Sequence, residues 1–323
     1  MSTAPSAATD PRRDQVVADL DLTRPGLEIG PSYRPLLPKA QFPTVETLDH
    51  ADAQTLRAKY REMGHPEEIV NQIVDVDHIW QGGSLTTAVP EGRTFAFIVG
   101  SHLIEHTTDV IGFLQDCQAL LEPGGRAALV VPDRGYCFDY FQPLTNAGAA
   151  IDAHLYPQRF HPPGQLLNHL LYAVTRDGQL AWGPNATGAV ELQFRDLDNV
   201  AEWMDIGRRQ EEYFDIHRWR YTPSSFELLV TDLACLGYHH MRLIRAPRPG
   251  GHEFSVTLEN DPSWTPEYDA DWRLRQLLAI EAETVAATGR LRASAAASEV
   301  TVAPTAGGWR SRAGRLKRRL LPG

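Results

Sequence analysis

The chain has 323 residues, 42% hydrophobic, 22% charged and 9% aromatic, the proportions of a globular protein with one large domain or two small ones. Apolar runs such as Ala127–Pro132 and Leu170–Val174 fall far short of the ~20 residues of a membrane helix, and Met1–Gln15 lacks the apolar region of a secretory signal. The net charge of -10 divides into +7 on residues 290–323 and -17 on the rest, and so acidic a body argues against broad nucleic-acid binding.

Residues 1–20, rich in Ala, Ser and Pro at their start, read as a disordered lead-in. Gly26–Gly30 is a short strand ending in a turn, and Thr44–Asp49 a second strand ending on an acid. Ala51–Met63 has a helical period, with Leu56 and Tyr60 on one face. A third apolar run lies within Ile69–Val76. Thr94–Ser101 is continuously apolar, as a strand covered on both faces must be. Asp109–Leu121 is a helix stopped by Pro123-Gly124-Gly125, and Arg126–Val131 is the fifth strand. Strands alternating with helices predict right-handed crossovers and a mostly parallel sheet. The alternation stops over residues 133–221, a long insertion rich in His, Tyr and Trp. Beyond it, Thr222–Leu236 reads as a helix ended by Gly237, followed by strands His239–Arg245 and His252–Leu258. Residues 261–289 contain a further helix, Tyr268–Thr288, and residues 290–323 form a flexible basic tail. Cys117, Cys137 and Cys235 are far apart and lack CxxC spacing, which argues against disulfides and structural zinc and for a reducing, cytoplasmic setting.

In open α/β sheets ligands bind at the carboxyl ends of the strands. Four such ends carry notable residues: Glu28-Ile-Gly30-Pro31-Ser32, Asp49-His50-Ala-Asp52, Asp75-Val-Asp77-His78 and Ser101-His102-Leu-Ile-Glu105-His106. A carboxylate after the second strand suits a ribose diol, because it accepts from two hydroxyls, and Gly30 permits close backbone approach. G-x-G-x-x-G is absent, so a dinucleotide of the dehydrogenase type fits less well.

Taken in order, Leu27-Glu-Ile-Gly-Pro31, Thr47-Leu-Asp49, Asp75-Val-Asp77, Phe97–His106 and Leu120-Leu-Glu-Pro-Gly-Gly-Arg126 resemble the class I S-adenosylmethionine-dependent methyltransferases, in the branch marked by Ser-His-x-x-Glu-His and Leu-x-Pro-Gly-Gly. The resemblance covers about residues 24–133. It implies a Rossmann-like seven-stranded, mostly parallel sheet with helices on both faces, spanning residues 21–260 with residues 133–221 as an inserted substrate cap. It implies S-adenosylmethionine as cofactor, with Gly30 against its methionine part and Glu28 close by. Asp49 would hold the ribose, Asp77 or its neighbours the adenine, and Ser101 and His102 the far side, with Pro31, His50 and Asp75 completing the set. The glycine-rich loop of the family departs here, with Ser32 and Arg34 in place of its later glycines.

Methyl transfer is an in-line displacement needing alignment and exclusion of water, and an oxygen acceptor must lose its proton to a His or carboxylate within reach. His106, His161 and His217 are the candidate bases. His102-Leu-Ile-Glu105-His106 also matches the inverted metallopeptidase spacing H-x-x-E-H, but it follows a buried strand and lacks an identifiable third ligand. Asp75, Asp77 and Asp133 have no diagnostic metal spacing, and no metal is assigned. Asp215–Tyr221 alternates aromatic and polar residues, as sugar-binding surfaces do or as a segment packed on the core does. Six basic residues within 310–319 suit peripheral contact of 309–323 with an anionic membrane. The reading is a methyltransferase that O-methylates a sugar or glycan intermediate. Its rivals are a lipid, quinone or natural-product acceptor, and a non-catalytic scaffold in polysaccharide assembly.

Overall fold

The computed structural model describes residues 10–297 except 199 and 212; the basic segment 309–323 lies outside them. The strands are β1 (Gly26–Ile29), β2 (Val45–Asp49), β3 (His78–Ile79), β4 (Phe95–Ser101), β5 (Leu121–Pro132), β6 (Val174–Arg176), β7 (Val190–Leu192), β8 (Met241–Leu243), β9 (Arg248–Pro249) and β10 (Glu253–Asn260). The main sheet runs β3-β2-β1-β4-β5-β10-β8, with β9 beside β10 off this path. β3, β2, β1, β4 and β5 are mutually parallel, and β10 runs antiparallel to both β5 and β8. The expected seven-stranded, mostly parallel Rossmann-like sheet is therefore present.

Alternate residues of the strands feed two apolar layers, as the period of two requires. Leu27, Ile29, Ile98, Leu129, Val131 and Val256 face α4 (Val110–Leu120), α5 (Ala147–Leu155) and α8 (Pro223–Cys235). Asp109 caps α4 by accepting from the Gly112 N–H at 3.0 Å. Six apolar side chains of α4 are buried, at about 1.5–3 kcal/mol for each large one. Phe97, Val99, Ala128 and Val130 point to the other layer, which Val16, Val17, Leu36 and Leu37 close.

That second layer corrects the reading of the lead-in as disordered for residues 10–20, residues 1–9 lying outside the described residues. Asp10 caps a short helix, α1 (Pro11–Val16), with Pro at its start, the arrangement that a preset φ favours. Gln15 donates to Ser255 Oγ at 3.1 Å and Asp19 accepts from Arg248 at 2.9 Å, tying the segment to β10 and β9. The second strand is followed by α2 (Ala53–Glu62), as expected. The apolar run 69–76 is not a strand; it falls in α3 (Glu67–Val70) and a loop, and β3 is only two residues long.

Residues 133–221 leave the sheet and return to it at one point, since Asp133 bridges Tyr221 and the Arg134 N–H donates to Tyr221 O. Between them lie α5, α6 (Pro163–Tyr172), the antiparallel pair β6–β7, and α7 (Val200–Arg209), which packs on α6. The insertion is thus more regular than its sequence suggests. The last helix, α9 (Ala270–Ala297), extends past the expected end at 288. Leu274, Leu278 and Val285 on it are exposed. Polar contacts hold it, Arg273 to Asp232 on α8 and Glu283 to Ser224. No helix among the described residues is long and apolar enough to cross a membrane.

Candidate active site

β1 lies between β2 and β4, and Ile29 pairs with both Leu48 and Gly100. Gly30-Pro31-Ser32, Asp49-His50 and Ser101-His102 therefore share one crest of the sheet. Gly30 has φ +69, and a Cβ placed on it would meet no atom within 4 Å, so its backbone is open to a ligand. Pro31 is buried in the turn. Ser32, where the family loop has glycine, holds the left-handed conformation itself, at φ 47. Its hydroxyl lies 2.6 Å from that of Tyr60, a local bond that offsets the cost of that conformation. Asp49 is buried; Oδ1 accepts from the His50 N–H and lies 2.7 Å from His50 Nδ1, while His50 Nε2 lies 2.8 Å from Lys59 Nζ. Both contacts fall on Oδ1, so a ribose diol would engage Oδ2. The open backbone at Gly30 and the strand-end carboxylate fit S-adenosylmethionine.

Three expected cofactor residues sit elsewhere. Glu28 is buried beneath the crest, and its two oxygens accept from the backbone N–H groups of Leu36 and Leu37 at 2.6 and 3.0 Å. Burial pushes its carboxyl up to about 7, against those two bonds. It shapes the turn after Gly30 rather than facing a ligand. Asp75 and Asp77 precede β3 instead of following it. Asp77 accepts from the Thr47 N–H at 2.7 Å and pairs with Lys39 at 2.5 Å, and Asp75 is exposed, 3.7 Å from Arg57. The loop that leaves the carboxyl end of β3 begins at Trp80, whose N–H donates to Asp49 O at 2.9 Å.

At the end of β4, His102 is a non-glycine residue at φ 52, a strained conformation of the kind that functional sites retain. Its Nε2 lies 2.7 Å from Glu253 Oε2. Arg12 donates to both oxygens of Glu253, at 2.6 and 3.1 Å, and to Ser101 Oγ at 2.8 Å. Burial acts to lower the His102 pKa, but Glu105 and Glu253 outweigh it and raise it to about 9. Burial acts to raise Glu253, but His102 and Arg12 bring it down to about 2. Arg12 and Glu253 escaped the sequence reading because they meet across 241 residues.

The H-x-x-E-H segment is not a helix. His102 closes the strand, and Ile104–His106 form a single 3-10 turn. Glu105 is fully buried. Its Oε1 lies 3.5 Å from His102 Nδ1, 3.7 Å from His106 Nε2 and 3.9 Å from His217 Nε2. Arg218 and Trp219 donate their N–H groups to the Glu105 carbonyl at 2.8 and 3.1 Å, which fixes the returning cap segment against this turn. Asp139 Oδ2 holds His217 Nδ1, and Asp215 Oδ1 lies 3.1 Å from His106 Nδ1. Burial opposes the charge on Glu105, yet the surrounding histidines lower its pKa, and the carboxylates raise that of His106 against burial.

Two of the three candidate bases thus meet directly, His106 and His217, with ring centroids 4.7 Å apart. His161 is buried in the cap with both ring nitrogens unbonded. Burial, with the nearby cationic positions of His106 and Arg218, lowers its pKa to about 3, so it is neutral. The sugar-surface reading of 215–221 is overturned. Ile216–Tyr221 are all buried, Trp219 Nε1 donates to Thr107 O at 2.7 Å, and Tyr221 packs edge-on against Phe226; the segment is a strap on the core.

A parallel sheet of this order, reversed at its last strand pair and open at the crest of β1, β2 and β4, defines the Rossmann-like methyltransferase fold. The family model described as "Methyltransferase domain" matches residues 7–227, and the chain belongs to that family. It is a methyltransferase whose cofactor is S-adenosylmethionine. No curated protein sequence matches the chain. Among solved structures, it is similar to the CcbJ methyltransferase from Streptomyces caelestis, at 15% identity over 80% of this chain and 99% of that one, with a TM-score of 0.37. It is also similar to an O-methyltransferase family protein from Burkholderia thailandensis, at 11% identity over 79% and 56% of the two chains and a TM-score of 0.32. A third similarity is to the glycopeptide N-methyltransferase MtfA complexed with S-adenosyl-L-homocysteine, at 19% identity over 40% and 54% and a TM-score of 0.27. The chain spans little more than half the length of the last two.

Proposed function

We propose that the enzyme methylates a hydroxyl of a polar acceptor, of the sugar or glycan-intermediate kind, held between the crest and the cap. The observation that carries this reading is the cluster of Glu105, His106 and His217 where the cap strap meets the end of β4. Bound S-adenosylmethionine supplies an electrophilic methyl group, and the electron pair of the broken C–S bond stays on sulfur. A hydroxyl attacks well only as its proton leaves, and the cluster concentrates negative charge and imidazole nitrogens beside the crest. Asp139 and Asp215 orient the two imidazoles, and the cap excludes water.

Buried polar atoms of the cap favour a polar acceptor over a lipid or quinone: both ring nitrogens of His161, Nδ1 of His169 and one guanidinium nitrogen of Arg218 have no hydrogen-bond partner among the described residues, and an apolar ligand would leave them so. The test is transfer of labelled methyl from S-adenosylmethionine to a panel of saccharides and sugar nucleotides, run beside quinones and phenols. The expected product is a methyl ether on a saccharide. Label found only on the apolar panel, or on nitrogen, would refute the reading.

A further inference from the structure

We propose that Glu105, His106 and His217 form a binding site for a divalent transition-metal ion, with Asp139 and Asp215 as the groups that orient its histidines. The inference deepens the oxygen-methylation reading and rests on it only for the purpose of the metal, not for its binding.

The first argument is geometric. Glu105 Oε1 lies 3.7 Å from His106 Nε2 and 3.9 Å from His217 Nε2, and the three ligand atoms all lie within 4.8 Å of one another. Tetrahedral bonds of about 2.0–2.1 Å space their ligand atoms by about 3.3–3.5 Å, so the two edges that meet at Glu105 need contract by only a few tenths of an ångström. The turn and the strap that carry these residues are already locked together by the two N–H donations to the Glu105 carbonyl.

The second argument is independent of that spacing. Glu105 is 0% exposed, and neither of its carboxylate oxygens has a hydrogen-bond partner. A buried carboxylate without donors is costly unless a cation faces it. The nearest cation, His102, turns its Nε2 to Glu253 and leaves its Nδ1 3.5 Å from Glu105 Oε1 without completing a hydrogen bond, and Arg12 is spent on Glu253 and Ser101.

The third argument is the outer ring of carboxylates. A histidine that binds a metal through one nitrogen generally gives the other N–H to a carboxylate, which fixes the tautomer and raises ligand basicity. His217 has this arrangement, with Nδ1 on Asp139, and at His106 the carboxylate of Asp215 stands 3.1 Å from Nδ1, near enough to take that role on a small rotation. In that arrangement each presents an Nε2 lone pair to the side where Glu105 stands. Asp139 is itself held by Gln142 Nε2 at 2.6 Å.

Two imidazoles and one carboxylate select zinc, iron(II), cobalt or manganese over magnesium or calcium, which prefer oxygen ligands. Three protein ligands leave a position free, as catalytic sites do. A hydroxyl entering that position would release its proton to solvent near neutral pH, because such ions bring the pKa of bound water from 15.7 to about 7. Two other groupings among the described residues are weaker. Glu253, near His102 and His252, already carries the Arg12 guanidinium. In the Cys137–Asp139–His217 grouping, Asp139 is spent on His217 and Gln142.

The test is a titration of the chelator-stripped full chain with Co2+, followed by visible absorption, and elemental analysis of the protein as purified. The expected result is one Co2+ per chain with ligand-field bands. Affinity should fall more than tenfold in Glu105→Gln and in His217→Ala, and about 10–100-fold in Asp139→Asn, which touches no metal. His252→Ala should bind as the parent does. Retained S-adenosylhomocysteine binding checks that each variant is folded. Absence of the bands from the parent, or unchanged binding in Glu105→Gln and His217→Ala, overturns the site. If Co2+ fails to bind while saccharide methylation persists in chelator, the inference falls and the proposed function stands. If Co2+ binds and no hydroxyl acceptor is methylated, the site stands and the proposed function falls.

Discussion

His102 makes a measurable share of the fold's stability depend on pH. Its imidazole lies 2.7 Å from Glu253 and 3.5 Å from Glu105, and its pKa rises from the ordinary 6.5 to about 9 against the opposing effect of burial. The folded chain thus holds this proton more tightly than the unfolded chain. The stabilisation is complete below pH 6.5 and is lost as the pH climbs through 9. At about 1.36 kcal/mol per pH unit, the rise sets a ceiling of about 3.4 kcal/mol. The side chain is 35% exposed, and solvent screening reduces the figure to about 1–2 kcal/mol. The control is His102→Asn, which cannot titrate and tolerates the left-handed backbone at this position. Urea unfolding of both proteins at pH 6.5 and 9.5, compared at equal m-value, isolates the contribution of His102 and of the groups coupled to it, because titrating groups remote from His102 cancel in the difference. The parent should lose about 1–2 kcal/mol more than the variant between the two pH values. Parallel losses would refute the assignment of the charge to His102.

Glu28→Ala strands the N–H groups of Leu36 and Leu37, at about 1–3 kcal/mol for each buried group. Urea unfolding should show a loss of about 2–6 kcal/mol, and a loss under about 1 kcal/mol would mean that the turn after Gly30 is held by something else. Asp139→Asn replaces the charged acceptor that orients His217 with a neutral amide; methyl transfer should fall about 10–100-fold, while calorimetry finds S-adenosylhomocysteine affinity within about twofold of the parent. Equal losses in both would make Asp139 a residue of the fold.

The parallel core of the sheet was legible because its signals are local. Phe95–Gly100 is apolar without a break, as a doubly covered strand must be, and the strand-end rule then placed Gly30, Asp49, Ser101 and His102 on one crest. The same rule failed at Asp75 and Asp77, because β3 has only two residues and no periodicity to mark it. Glu28 was misplaced by one layer, since nothing in a four-residue strand says which side its acid faces. The composition of the first twenty residues concealed α1, although Asp10-Pro11 is a helix-start signal. The alternation in Asp215–Tyr221 suits an exposed sugar platform and a buried strap equally, and only tertiary packing of Trp219 and Tyr221 decides between them. Arg12 with Glu253, and Glu105 with His217, are joined across 241 and 112 residues by topology alone.

The central claim is the cofactor site on the crest of β1, β2 and β4. Calorimetric titration of the full chain with S-adenosylhomocysteine, beside Asp49→Ala, tests it most directly. Hydrogen bonds to a charged carboxylate are worth about 1.5–3 kcal/mol each, so losing the ribose contact should weaken binding by about 100-fold, or about 2.7 kcal/mol. The account predicts binding by the parent and that loss in the variant. A folded parent that does not bind, or a variant that binds as well as the parent, would contradict it.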